Sequence, residues 1–215
     1  MRYIVKEFDK PLLIFSADMN SSNSNLQIEK IYEENDAFFP LNLTVSNGGL
    51  ESWLKHRVIP KNRAYVDALL SKTGLSANRP LGIIAVCKGL SLNDCYWVDS
   101  ADNESSFAKV NLYDNRFSTI LASIAFTGYG SSVRSSLFSS PEFSTNGMLP
   151  KCWRRINGKI YLYKGGTSGF SNTGFEPYSE LYAYQIAKAM EINAIRYTLT
   201  KDLKKSLCSK CELFT

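Results

Sequence analysis

The chain has 215 residues, 44% of them hydrophobic and 13% aromatic, enough for a packed core and unlike a disordered or fibrous composition. Its 25 basic and 20 acidic residues leave a net charge of +5, dispersed rather than gathered into the stripe of a nucleic-acid binder, so no direct nucleic-acid partner is expected. No apolar run approaches the roughly 18–20 residues that cross a bilayer, and residues 1–10 carry alternating charge where a signal peptide would be apolar, so the expectation is a cytoplasmic protein with no membrane partner.

In chain order, Pro11-Leu12-Leu13-Ile14-Phe15 reads as a short buried strand, residues 21–25 as a polar loop and residues 40–45 as strand or turn. Residues 50–57 suit a helix with Leu50, Trp53 and Leu54 on one face. A second helix is expected from about Asn62 to just before Gly74, its C-cap. Arg57, Arg63 and Trp53 read either as a polar–aromatic surface or as solvated helix edges, and His56 as exposed or packed rather than catalytic. Residues 112–126 look helical through Phe117, Ile120, Leu121 and Ile124. Residues 127–145 are serine-rich with few long aliphatics, which reads as a loop or linker in which Ser139 and Ser140 are solvated.

Beyond that change of texture, residues 152–156 and 159–163 flank Asn157-Gly158. Asn-Gly is a strong hairpin signal, because a type I′ turn needs positive φ at both central positions. A glycine-bearing stretch, residues 165–174, leads to a helix with Pro177 in its first turn and Leu181, Tyr184, Ile186, Ala187 and Met190 on its expected core side. Residues 194–199 then alternate like a strand. The division is a mixed α/β amino-terminal region (1–126), a connection (127–143) and a unit of antiparallel sheet plus one helix (144–215), an α+β chain.

The order loop, strand, turn, strand, loop, helix, strand is that of a protein-kinase small lobe. In such a lobe a strand lysine meets nucleotide phosphates and a helix glutamate orients it, and Lys164 and Glu180 stand in those positions. Spacing alone equally allows an exposed strand lysine and a solvated glutamate. Neither GxGxxG nor a Walker Gly-Lys-Ser/Thr is present. The five cysteines are an odd, scattered set; Cys208-Ser209-Lys210-Cys211 is the only CxxC, and the lone His56 does not complete a zinc site with it. No metal site is expected.

Residues 144–215 resemble the HipA-like serine/threonine kinases, the toxin kinases of bacterial toxin–antitoxin systems. Residues 144–151, Ser-Thr-Asn-Gly-Met-Leu-Pro-Lys, are similar to the family's S-x-x-G-x-Q-x-K phosphate loop, departing at Leu149 where the family commonly has Gln. Tyr163-Lys164 resembles its I-K, residues 179–187 its N-E-x-x-C-x-x-L-A helix, and residues 211–215 its V-E-R-F-D hinge. The resemblance implies that Asn146, Gly147 and Met148 present backbone to phosphates, with Lys151 and Lys164 reaching the same groups. It implies that Glu180 orients Lys164, that Glu212 and Phe214 offer hinge carbonyl and amide to adenine, and that Ser144 stands where the family carries an inhibitory autophosphorylation serine. ATP and Mg are the cofactors expected of a full-length family member.

The family's catalytic aspartate, asparagine and second metal-binding aspartate follow the hinge. The large catalytic lobe is therefore expected to be absent, with no catalytic residue in residues 1–215 and Asp94 and Asp114 in unrelated contexts. An apolar surface is then expected to lie uncovered around the hinge and the Glu180 helix. The alternative is a non-enzymatic regulator that docks on an antitoxin or on a kinase large-lobe partner.

Overall fold

The computed structural model describes residues 1–19, 25–133, 138–167, 174–201 and 206–214. Most of the expected 21–25 loop, most of the 165–174 stretch, part of the serine-rich segment, the charged run 202–205 and Thr215 lie outside the described residues. The molecule is mixed α+β, with two four-stranded antiparallel sheets and several helices.

The first sheet contains β1 (Arg2–Glu7), β2 (Lys10–Ser16), β3 (Gln27–Ile31) and β4 (Tyr96–Ser100), in the order β3-β2-β1-β4. The expected strand at residues 11–15 is the heart of β2, where Leu12, Leu13 and Phe15 are fully buried. Between β3 and β4 lie α1 (Asn47–His56), α2 (Val66–Thr73) and α3 (Pro80–Cys87). Ser46 caps α1, its Oγ accepting from the Gly49 amide at 3.0 Å. Leu50, Trp53 and Leu54 are buried as their spacing predicts. Gly74 ends α2 with φ of 73°, a left-handed cap that a side chain would disfavour.

The second helix is shorter than expected. It starts at Val66 because residues 60–63 are spent on a turn, the Arg63 amide donating to the Pro60 carbonyl at 3.1 Å. Residues 40–43 are likewise a turn, the Leu43 amide donating to the Pro40 carbonyl. The expected helix at 112–126 forms only in its second half, as α5 (Thr119–Thr127); a separate short helix, α4 (Phe107–Val110), precedes it, and residues 111–118 are not helical. Asn111 is the cause of the break. Its Oδ1 accepts from the amides of Tyr113 and Asp114 at 2.9 and 2.8 Å, an Asx turn that competes with helix.

The described part of the serine-rich segment is packed. Ser140, Glu142 and Phe143 are fully buried, Phe143 within the core formed by β1, β2, α1, α2, α3 and α5. Ser139 donates to the Cys87 carbonyl at 3.0 Å, so neither serine reads as solvated loop. Arg57 and Arg63 are buried rather than solvated.

The second sheet holds β5 (Lys151–Ile156), β6 (Lys159–Lys164), β7 (Tyr197–Lys201) and β8 (Leu207–Glu212), in the order β5-β6-β8-β7. Asn157 and Gly158 close the β5–β6 hairpin with φ of 50° and 81°, as the I′ turn requires. Helix α6 (Glu176–Ala189) connects β6 to β7 and packs against β7 and β8, with Pro177 in its first turn. Only Leu181, Tyr184 and Ala187 of its expected core side are half-buried. Ile186 and Met190 are 60% and 64% exposed, and Tyr182, Phe175 and Ile192 are exposed near them. Strand β7 starts at Tyr197, three residues later than its alternation suggests.

Helix α5, an apolar cluster and Arg155 are among the contacts that weld the halves together. Helix α5 is apolar all round, which suits a helix with protein on two sides. Its Leu121 and Ile124 enter the first core, while Ala122 and Phe126 pack on Cys152, Tyr163 and Cys208 of the second sheet. A second cluster joins Leu90, Leu92, Trp97, Phe107 and Leu112 to Trp153 and Ile160. Arg155 adds a polar tie, donating through Nη2 to the carbonyls of Leu112, Tyr113 and Asn115 at 3.1, 2.6 and 3.0 Å.

Candidate functional site

Strand alternation sorts the second sheet into two faces. Cys152, Tyr163 and Cys208 face α5. The register pairs Lys151 with Lys164, Trp153 with Leu162, and Cys211 with both Leu162 and Tyr197, which sets these six side chains on the opposite face. All six line a cleft of about 920 Å³, a size suited to a small-molecule ligand. Cys208 and Cys211, three residues apart on one strand, therefore lie on opposite faces, and all five cysteines are free thiols.

The cleft gathers most of the residues singled out from the sequence. Ser144, Asn146, Lys151, Lys164, Glu212 and Phe214 line it. Gly147 and Met148 belong to the same loop outside the lining, and Glu180 reaches it through Lys164. Lys164 is the best-held group: its Nζ donates to Glu180 Oε1 at 2.7 Å and to the Tyr197 hydroxyl at 2.6 Å. Tyr197 was not singled out by its sequence context. Burial pushes its phenol well above the ordinary range, with Cys211 and Glu180 adding to the effect, so it acts here as a neutral hydrogen-bonding group.

Residues 144–151 curl over the lysines. Gly147 has φ of 90°, and a Cβ built on it would lie 2.3 Å from Lys151 Nζ, so a side chain there meets both strain and a clash. Lys151 Nζ donates to the Asn146 carbonyl at 2.8 Å. Its ammonium is brought down to about 8 by burial, with Arg63 and Lys164 adding repulsion. The amides of Asn146, Gly147 and Met148 have no acceptor among the described residues. Because the Asn146 carbonyl points at Lys151 Nζ, the Gly147 amide across the same peptide points away from it; of these three residues Asn146 is the one that lines the cleft with the two lysines.

The loop is held from below by buried polar contacts. Thr145 Oγ1 accepts from the Trp153 indole at 2.9 Å and donates to the Pro141 carbonyl at 2.5 Å. Glu142 accepts from the Trp153 amide at 3.1 Å and from the Ser140 hydroxyl. Complete burial raises the Glu142 carboxyl above its ordinary range. Ser144 is buried, its Oγ 3.5 Å from the Pro141 carbonyl, so modification of that hydroxyl requires the loop to lift.

At the other end of the cleft, β8 runs out into residues 213 and 214. The Leu213 amide donates to the Ile160 carbonyl at 2.8 Å. Alternation along the strand then turns the Glu212 carbonyl and Phe214 amide away from β6. The Glu212 carboxylate is engaged by Lys159 at 2.8 Å, and the Phe214 ring is exposed.

The amino-terminal region supplies the opposite wall through residues 91–95, Phe107, Asn111, Tyr113 and Asp114. Asp94 and Asp114 thus belong to the cleft, correcting the expectation that they sit in unrelated contexts. Arg57 fixes this wall, donating to both Asp94 carboxylate oxygens at 2.8 and 2.7 Å and to the Gly89 and Tyr96 carbonyls at 2.7 and 2.8 Å. No short motif announces the wall in the sequence; it exists because Arg57 and the Trp97 cluster bend two distant loops together. His56 is exposed on α1, outside the cleft lining, with Nδ1 2.7 Å from the Ser52 carbonyl.

Among the described residues there is no group of three or more His, Cys, Asp or Glu able to hold a metal ion, and no helix long and apolar enough to cross a membrane. Comparison with protein-family models and with curated proteins found no match to this chain.

Proposed function

We propose that this chain binds a nucleotide through its polyphosphate, as the kinase-like small lobe of a HipA-like serine/threonine kinase. The observation that carries the reading is Lys164, tethered between Glu180 and Tyr197 in a cleft that Lys151 and Asn146 also line. In phosphoryl-transfer enzymes a fixed lysine and backbone amides neutralise phosphate oxygens, and a helix glutamate keeps the lysine in place. The strand order supports the same reading, because it sets the Lys164 strand directly beside the strand that runs into residues 211–214.

ATP fits the residues present. Lys151, Lys164 and the Asn146 amide would hold the phosphates, and the Glu212 carbonyl and Phe214 amide would meet the adenine. Bound ATP supplies a transferable phosphoryl group; this chain's residues bind and orient it. Lys164 carries its charge to the phosphates without a reorganisation cost, because Glu180 and Tyr197 already fix it. Mg is expected with the nucleotide from the resemblance, and no step is derived through it. The resemblance assigns transfer chemistry to groups that follow the hinge, and nucleotide binding is the activity proposed for residues 144–214.

A second reading, a non-enzymatic regulator docking on an antitoxin or a kinase large lobe, draws support from the apolar surface at Tyr182, Ile186, Met190 and Ile192. Titration of ATP separates the two. The first reading expects saturable binding that Lys164→Ala abolishes or greatly weakens. Absence of nucleotide binding together with a stable complex with the partner favours the second.

A further inference from the structure

The candidate phosphate loop is held from outside as well as by its own contacts. Within residues 142–151 five backbone carbonyls are taken by residues 59–64 of the amino-terminal region. The Ile59 amide donates to the Phe143 carbonyl at 2.6 Å, and the Ala64 amide to the Met148 carbonyl at 2.8 Å. Arg63 does the rest: Nη1 donates to the carbonyls of Glu142 and Thr145 at 3.2 and 3.0 Å, and Nη2 to that of Lys151 at 2.5 Å. The Arg63 side chain is buried, and no carboxylate forms an ion pair with it among the described residues. Nη1 and Nη2 are spent on neutral carbonyls while Nε is buried without a partner among the described residues, so the burial is costly unless the three carbonyl bonds form together.

The geometry gives these bonds a direction. A trans peptide unit points its C=O and the following N–H to opposite sides. Drawing the Thr145 carbonyl onto Arg63 therefore turns the Asn146 amide to the opposite side. Asn146 lines the cleft and Arg63 does not, so the Asn146 amide is turned to the cleft side. We propose that Arg63 is the positioning residue of the phosphate loop, and that the anion site forms only while residues 59–64 hold the loop's carbonyls. This rests on the nucleotide reading of the cleft. It gives the amino-terminal region a role: it shapes the site as well as walling it. Arg63 touches no ligand atom in this scheme and acts through the backbone it holds.

The test uses the full chain, with inorganic tripolyphosphate as the probe. Arg63→Lys keeps the charge but offers one ammonium where three carbonyls on separate strands of the loop need a fork. Arg63→Lys is expected to weaken tripolyphosphate about tenfold, the loss of one charged hydrogen-bond's worth of positioning. It is also expected to speed amide exchange at Ile59 and Ala64, whose acceptors are loop carbonyls, while β1 and β2 amides keep their rates. Leu69→Ala, a cavity in the core of α2, controls for simple destabilisation; it is expected to lower the melting temperature without changing either readout.

Arg63→Lys that binds tripolyphosphate and exchanges at Ile59 and Ala64 like the unsubstituted chain overturns the proposal, as does an equal loss of affinity in Leu69→Ala. If the unsubstituted chain does not bind tripolyphosphate, the nucleotide reading fails, and exchange at Ile59 and Ala64 alone decides whether Arg63 positions the loop. If Arg63→Lys does not fold, arginine-labelled NMR of the unsubstituted chain decides. Distinct, slowly rotating Arg63 Nη signals that shift on saturation with tripolyphosphate support the proposal, and averaged signals that do not shift overturn it.

Discussion

Lys151 makes polyphosphate binding depend on pH above neutrality. Its ammonium is brought down from 10.5 to about 8 by burial, Arg63 and Lys164, and a bound polyanion replaces that repulsion with attraction and raises it again. Binding is then tight only to the protonated form. Once the pH passes about 8, affinity falls by up to about one power of ten per pH unit, and the gap between about 8 and 10.5 caps the total at roughly two to three powers of ten. Solvent at the cleft mouth softens the limit, so the expected loss between about pH 7.5 and 9.5 is roughly ten- to twentyfold. Once the last ionisation of tripolyphosphate, titrated alone in the same buffers, is subtracted, the slope is that of Lys151; the neighbouring Cys211 thiol adds none, because burial holds it above its ordinary range.

The assay is isothermal titration of tripolyphosphate across that range at fixed ionic strength, in the unsubstituted chain and in Lys151→Met. The variant is expected to bind more weakly at pH 7.5 and to show no slope. For folding the sign is opposite. Below about 8 Lys151 is charged in both states and its burial costs stability; between about 8 and 10.5 the folded chain sheds the proton first, so the unliganded fold gains stability as the pH rises. A flat affinity profile in the unsubstituted chain, or the same slope in Lys151→Met, refutes the reasoning.

Two further outcomes test separate parts of the site. Gly147→Ala is expected to cost about 1–2 kcal/mol of stability from the positive φ, and to weaken tripolyphosphate by displacing Lys151 Nζ; urea denaturation and titration measure the two losses, and an unaltered variant on both counts contradicts the loop geometry. Arg155→Met strands three carbonyls between the halves and is expected to cost about 1–3 kcal/mol in urea denaturation. A midpoint equal to that of the unsubstituted chain removes Arg155 from the tie.

Legibility in the sequence followed the range of the signals. Local chemistry was readable: Asn157-Gly158 made its hairpin, Gly74 its cap, and Leu50, Trp53 and Leu54 their buried face. The Lys164–Glu180 pair was readable as an order of elements, and its two members do meet at 2.7 Å. What stayed hidden depends on contacts across many residues. Arg63 meets carbonyls about 80 residues away, at separations of 79, 82 and 88, and no local pattern marks a turn residue for that task. The Asn111 Asx turn keeps Tyr113 and Asp114 out of the helix that apolar spacing placed at 112–126, since side-chain hydrogen bonding overrode periodicity. In α6 the apolar pattern was genuine but wider than the sheet it meets, which left Ile186 and Met190 outside.

The most direct measurement is calorimetric titration of ATP into the chain and into Lys164→Ala at one ionic strength. The expected result is a single saturable site in the unsubstituted chain. Lys164→Ala should weaken it roughly ten- to a hundredfold, the range of one lost charge-assisted phosphate contact of about 1.5–3 kcal/mol. No saturable binding in the unsubstituted chain, or equal affinity in the two proteins, contradicts a nucleotide site built around Lys164.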